Sequence, residues 1–178
     1  DVFAAKSRPE RITEIESTAD RIDRELWREL ATTGLLGLAL PENLGGGGAG
    51  LAELYVLLEE QGRNVAPVPL WPHVLGALAI AEFGTPAQRD ALVPAAADGS
   101  GIVTVALEEL GPHAPCEPST TAREVDGRWH VHGVKAAVPV AHVADRLVVS
   151  AATDSGPALF LVRPESVGVT AQQAESTT

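Results

Sequence analysis

Apolar positions recur at helical spacing up to about residue 98 and at every second position beyond it, so the chain divides where the period changes. Leu26, Trp27 and Leu30 share one helical face behind Asp23, a residue suited to cap a helix, and Gly34 is placed as its left-handed terminator. A second helix is predicted over about residues 50–62, with Leu51, Leu54, Tyr55 and Leu58 on one stripe and Glu53, Glu59 and Glu60 off it. Pro67, Pro69 and Pro72 then remove amide donors and interrupt the pattern. A third helix is expected from about His73 to Phe83, ending at Gly84. Thr85-Pro86, a cap followed by a first-turn proline, opens a fourth that reaches about Ala97.

Past Asp98-Gly99, branched residues alternate with polar ones. Residues 101–107, 121–125, 128–138, 146–152 and 158–163 read as strands, with turn signals at Asp126-Gly127 and at 154–157. Helices followed by strands imply a multi-domain α+β chain: an all-α domain over 1–98, then an antiparallel β domain over 99–178, not a wound α/β sheet. The chain starts at Asp1, contains no methionine and closes on a strand that runs into the polar 168–178 segment, so it reads as a piece of a longer protein.

Composition narrows the partners. The chain has 178 residues, 45% of them hydrophobic, enough to bury a sizeable core. Its net charge of −11 argues against nucleic acid, which needs a basic face to displace counterions. No apolar run approaches the roughly 18–20 residues of a membrane helix. A lone Cys116 excludes an internal disulfide framework and fits a reducing compartment, placing the protein in the cytoplasm on this reading.

Several motifs invite chemistry. Gly45, Gly47 and Gly50 satisfy G-x-G-x-x-G, but no parallel strand precedes them and prolines follow, so a tight turn between packed helices is the better reading. His130 and His132 stand two apart on one strand and so on one face; no third metal ligand is evident, which favours a solvated face. His73, His113 and His142 are isolated, His73 and His142 reading as an ordinary helix-start and loop residue. Glu108-Glu109 could pair as general acid and base, though two carboxylates at a strand end are more often solvated. No G-x-S-x-G elbow surrounds Ser119, Ser150 or Ser155.

The order of the landmarks carries more than any one of them. An L-P-E followed by a glycine cluster (Leu40, Pro41, Glu42, then Gly45 to Gly48) precedes a helical stretch. A G-x-K strand (Gly133, Lys135) then leads to Ala144-Asp145 and an apolar strand. This resembles the acyl-CoA dehydrogenase family over nearly the whole chain. The resemblance implies a helical N-terminal domain and part of a middle β-barrel, with the chain stopping before a C-terminal helical bundle. It implies an FAD cofactor, an acyl-CoA substrate oxidised to the 2,3-enoyl-CoA, and a catalytic glutamate supplied by the bundle.

Two family stretches contact the flavin. In the first, roughly T-E-P-x-A-G-S-D, counting back from Ala122 puts the threonine position at Leu107, the glutamate at Glu108, the proline at Glu109 and the serine at His113. In the second, G-x-K-x-(aromatic)-I-T, the aromatic position is Ala137, the isoleucine Val138 and the threonine Pro139. Leucine and proline carry no hydroxyl and alanine no ring, so side-chain contacts of about 1 kcal/mol each are missing from the implied seat. The combination resembles a degenerate subunit of bacterial heterotetrameric enzymes acting on fatty or steroid acyl-CoAs, in which a homologous partner subunit completes the FAD site. An ordinary homotetrameric flavoenzyme that holds the ring by backbone amides alone, and a flavin-free structural or acyl-CoA-binding subunit of the same fold, are the alternatives. The resemblance names no electron acceptor.

Overall fold

The computed structural model describes residues 2–111 and 116–174. Its chain forms two compact units, Asp1–Ile102 and Val103–Thr178. The first is helical: α1 Val2–Lys6, α2 Pro9–Glu16, α3 Arg24–Thr32, α4 Leu51–Arg63, α5 Leu70–Phe83 and α6 Pro86–Ala97. The expected cap is made, with the Asp23 carboxylate accepting from the Glu25 and Leu26 amides at 3.0 and 3.1 Å. Leu26, Trp27 and Leu30 are buried behind it, and Gly34 follows α3 at φ +74°. Thr85 and Gln88 close a reciprocal capping box on α6.

Two helices that the apolar pattern did not announce lie at the start. Helices α1 and α2 each bury a single residue, Phe3 and Ile15, and are tied down by polar contacts. Lys6 pairs with Glu25 at 2.7 Å, while Arg11 grips Asp23 through Nε at 2.9 Å and a second guanidinium nitrogen at 3.1 Å.

The stripe on α4 also differs from expectation. Leu54 and Leu57 are its buried residues, whereas Leu51 and Tyr55 are exposed. Helix α5 begins three residues before His73, with Pro72 in its first turn, where a missing amide costs nothing. His73 is therefore inside a helix and wholly buried, not an open helix-start residue.

The second unit is one five-stranded sheet: β1 Val103–Ala106, β2 Thr121–Val125, β3 Arg128–His132, β4 Arg146–Thr153 and β5 Gly156–Val162. Its pairing is mixed. The antiparallel expectation holds for β2 with β3 and for β4 with β5. Strand β4 instead runs parallel to β1, from Val103 opposite Arg146 to Ala106 opposite Val149, and parallel to β2 at Thr121 opposite Ala152.

The β2–β3 turn holds Asp126 and Gly127 at φ +51° and +72°, matching the right-handed twist of the hairpin it closes. Strand β3 stops at His132, short of the expected 138. Gly133 lies so close to the Cα and side chain of Thr120 that a Cβ has no room. Ala106, Leu147 and Val149 form a core cluster, on which Val138, Ala141, Ala144 and Val162 pack.

Candidate functional site

A dense polar cluster among the described residues of the sheet unit joins the segments after β1 and β3 to the start of β2 and to β4. Glu109, three residues past β1, receives five hydrogen bonds. The Ser119 amide and hydroxyl donate at 2.6 and 2.5 Å, the Thr120 amide and hydroxyl at 2.9 and 2.6 Å, and Lys135 Nζ at 2.7 Å. Lys135 donates a second bond to Ser150 Oγ on β4 at 2.9 Å. Both charged side chains are buried, 3% exposed for Glu109 and 8% for Lys135.

Burial alone would push the Glu109 carboxyl up. The Lys135 ammonium, the Ser119 and Thr120 hydroxyls and the Thr120 amide outweigh it and hold the group far below the usual carboxylate range. Glu109 is therefore a fixed anion, unsuited to passing protons near neutral pH. Glu108 next to it is exposed, so the two carboxylates are separated rather than paired for acid–base work.

The residues expected to face a flavin fall on the two segments this cluster joins. Leu107 is half-buried just past β1, and the Glu108 carbonyl accepts from the Ala136 amide at 2.9 Å. Ala137 is exposed at φ +49°, in the left-handed region that disfavours an alanine. Val138 packs on the core cluster, and the Pro139 carbonyl accepts from the buried Thr104 hydroxyl at 2.7 Å. His113 lies outside the described residues.

The flavin ring needs donors and a stacking surface, and this edge offers neither from side chains. Leu107, Ala137, Val138 and Pro139 have no polar side-chain atom, and the nearby hydroxyls of Thr104, Ser119, Thr120 and Ser150 all take part in bonds within the chain. As a self-sufficient isoalloxazine seat these residues do not fit.

Other candidates dissolve on geometry. The amides of Gly45, Gly46, Gly47, Gly48 and Ala49 donate to the carbonyls of Glu42, Pro41, Gly37, Leu40 and Leu38, and the Gly50 amide to the Glu53 side chain. None is left to cradle a phosphate. His130 and His132 are exposed on one face of β3, opposite Arg123 and Thr121 on β2. Among the described residues no group of three or more His, Cys, Asp or Glu could hold a metal, and no helix is long and apolar enough to cross a membrane.

Sequence reading put the family's glutamate position at Glu108 and its proline position at Glu109, set Ser119 and Ser150 aside for want of a nucleophile motif, and did not single out Thr120. The signal that pointed toward the cluster was Lys135, an apolar-flanked lysine two residues past a glycine that lacks room for a side chain.

Comparison with known proteins agrees with this layout. Residues 1–100 match the family model described as acyl-CoA dehydrogenase, N-terminal domain. The chain is 39% identical over 163 residues to acyl-CoA dehydrogenase FadE27 of Mycobacterium tuberculosis, covering 90% of this chain and 42% of the relative. Among solved structures, a variant of the Tcur3481-Tcur3483 steroid ACAD superposes with TM-score 0.94 at 50% identity, over 98% of this chain and 48% of that one. The ChsE4-ChsE5 complex from Mycobacterium tuberculosis gives 0.87 at 37%, over 95% and 46%. This chain thus spans less than half the length of these relatives.

Proposed function

The chain belongs to the acyl-CoA dehydrogenase family, and from that premise we propose that it is part of one subunit of a heteromeric, FAD-dependent acyl-CoA dehydrogenase. The reaction on this reading converts an acyl-CoA thioester to the 2,3-enoyl-CoA in lipid or steroid side-chain breakdown, with a homologous subunit as partner. On this reading hydrogen leaves the α carbon of the acyl chain as a proton and the β carbon as hydride, for which a bound flavin would be the acceptor. The base for the proton comes from outside the residues described here.

The observation that carries the proposal is the contrast at the edge formed by 107–111 and 133–139. Its segments are joined by a shielded ion pair, while Leu107, Ala137, Val138 and Pro139, four of the positions that would hold a flavin ring, carry no polar side-chain atom. A chain that keeps the scaffold but not the donors suits an assembly in which the partner supplies them. The two-component steroid ACAD and the ChsE4-ChsE5 complex support that arrangement. The same aliphatic edge also favours a second reading, a flavin-free structural or acyl-CoA-binding subunit.

Visible absorption of the purified protein separates the two, measured alone and after co-expression with its genomic neighbour of the same family. Flavin bands in the co-purified complex and none in the protein alone are expected. Bands in the protein alone would refute the shared site, and bands in neither would leave the flavin-free reading.

A further inference from the structure

We propose that the Glu109–Lys135 ion pair is the positioning device of this edge, fixing segments 107–111 and 133–139 against each other and against β4 without help from a bound cofactor. Four parts of the chain meet at the pair: Glu109 after β1, Ser119 and Thr120 before β2, Lys135 after β3, and Ser150 within β4. The contacts close on themselves. Glu109 holds Thr120 through its amide and hydroxyl, and Thr120 packs on Gly133 with no space for a Cβ between them. Gly133 in turn sets where Lys135 leaves the backbone, and Lys135 returns to Glu109.

The backbone bond that joins the two segments, from the Ala136 amide to the Glu108 carbonyl, lies directly beside this loop of contacts. Just beyond it Ala137 adopts φ +49°, a conformation an alanine keeps only when its surroundings hold it. Its anchors are Lys135 on one side and Pro139, bound through its carbonyl to Thr104, on the other. The shape of the edge therefore follows from protein contacts alone. The proposal rests on the functional reading only in that the reading gives this edge a use.

A positioning role and a merely structural one predict different results for paired substitutions. Removing one member strands a buried charge, whereas removing both leaves no charge to strand. The test is hydrogen exchange at the Ala136 amide, in protein purified without flavin, together with denaturant stability. It uses Lys135→Met, Glu109→Gln and the double variant.

Slow exchange is expected in the starting protein, with exchange about 100-fold faster in either single variant. In the double variant stability should rise above that of Lys135→Met, since no charge is stranded, but stay below the starting protein, since the new side-chain NH2 meets the donors of Ser119 or Thr120. Exchange at Ala136 should stay fast, because an amide facing a thioether no longer ties the segments. Recovery of slow exchange along with stability would overturn the proposal, since the pair would then only fill space. Slow exchange that appears in the starting protein only after FAD is added would overturn it too. The heteromeric reading fails by a different measurement, the flavin content of the co-purified complex, and its failure leaves the exchange pattern unchanged.

Discussion

His73 of the helical unit and Glu109 of the sheet unit are both titratable side chains shielded from solvent, and they are kept in opposite charge states. In the helical unit His73 has its Nε2 3.0 Å from the Ala96 carbonyl and its ring edge-on to Trp27, with centroids 4.9 Å apart. A carbonyl only accepts, so Nε2 carries the proton and donates. Burial pushes the imidazole down to about 4, against the weaker pull of the Ala96 carbonyl, and the ring is neutral. In the sheet unit the Glu109 side chain is also shielded from solvent, though less deeply set than His73, yet it is ionised, because its oxygens face an ammonium, two hydroxyls and two amides. Burial does not set charge by itself. The count of donors aimed at the group does.

The sharpest way to break this contrast is to remove the cation. Lys135→Met should lower stability by about 2 kcal/mol in urea unfolding, because Glu109 loses its cation and keeps only the hydroxyl and amide donors of Ser119 and Thr120. A loss below about 1 kcal/mol would mean that Glu109 simply takes up a proton or reaches solvent, and the two regions would then behave alike.

Acid should act on the helical unit first. The unfolded chain titrates its His73 near the usual 6.5, while the folded chain refuses the proton until about pH 4. Stability from this residue is therefore complete above pH 6.5 and declines as pH falls, by about 1.5 kcal/mol between pH 6.5 and 5. His73→Gln should flatten that window. Glu109 has the other sign of origin: its depressed carboxyl contributes above the usual carboxylate range and loses its contribution only at lower pH. A stability profile flat from pH 6.5 to 5 in the unsubstituted protein would contradict the neutral, buried assignment of His73.

Smaller effects test the local geometry. Asp23→Asn keeps a side-chain oxygen for the cap of α3 but removes the charge that meets Arg11, and about 1 kcal/mol should be lost in thermal unfolding. Ala137→Gly should be neutral or gain about 0.5 kcal/mol, since glycine accepts φ +49° at no steric cost while its freer unfolded chain offsets part of the relief. A clear loss there would show that the methyl group packs on something.

These contrasts also explain what could be read from the chain. The α3 cap, the four helices from α3 to α6 and both hairpins were legible, since each rests on neighbours in sequence: a capping side chain, a stripe, a turn dipeptide. The helices α1 and α2 were not, because each buries one residue and is otherwise held by ion pairs to α3 and its cap. The α4 stripe was misjudged because Leu51, Leu54, Tyr55, Val56, Leu57 and Leu58 crowd two helical faces, and only packing selects Leu54 and Leu57.

In the sheet, β1 is buried at all four positions, so no alternation told which of Glu108 and Glu109 turns inward. The parallel pairing of β4 was likewise invisible, since register across distant segments leaves no local mark. The two segments of the candidate site were singled out by the motif resemblance. The hydroxyls that stabilise Glu109 were passed over because serine and threonine before a strand look like ordinary turn residues.

The mixed pairing of β4 bears on how quickly the sheet unit can form. The β2–β3 and β4–β5 hairpins close over short turns, but β1 and β4 join residues roughly forty positions apart, and loop closure over that distance comes at an entropic cost before any contact rewards it. Docking of β4 onto β1 is then expected to be the slow event, and the bond from Lys135 to Ser150 of β4 waits on the placement of that strand. Substitutions in β1 should retard refolding, while changes at the Asp126-Gly127 turn should leave the rate nearly untouched.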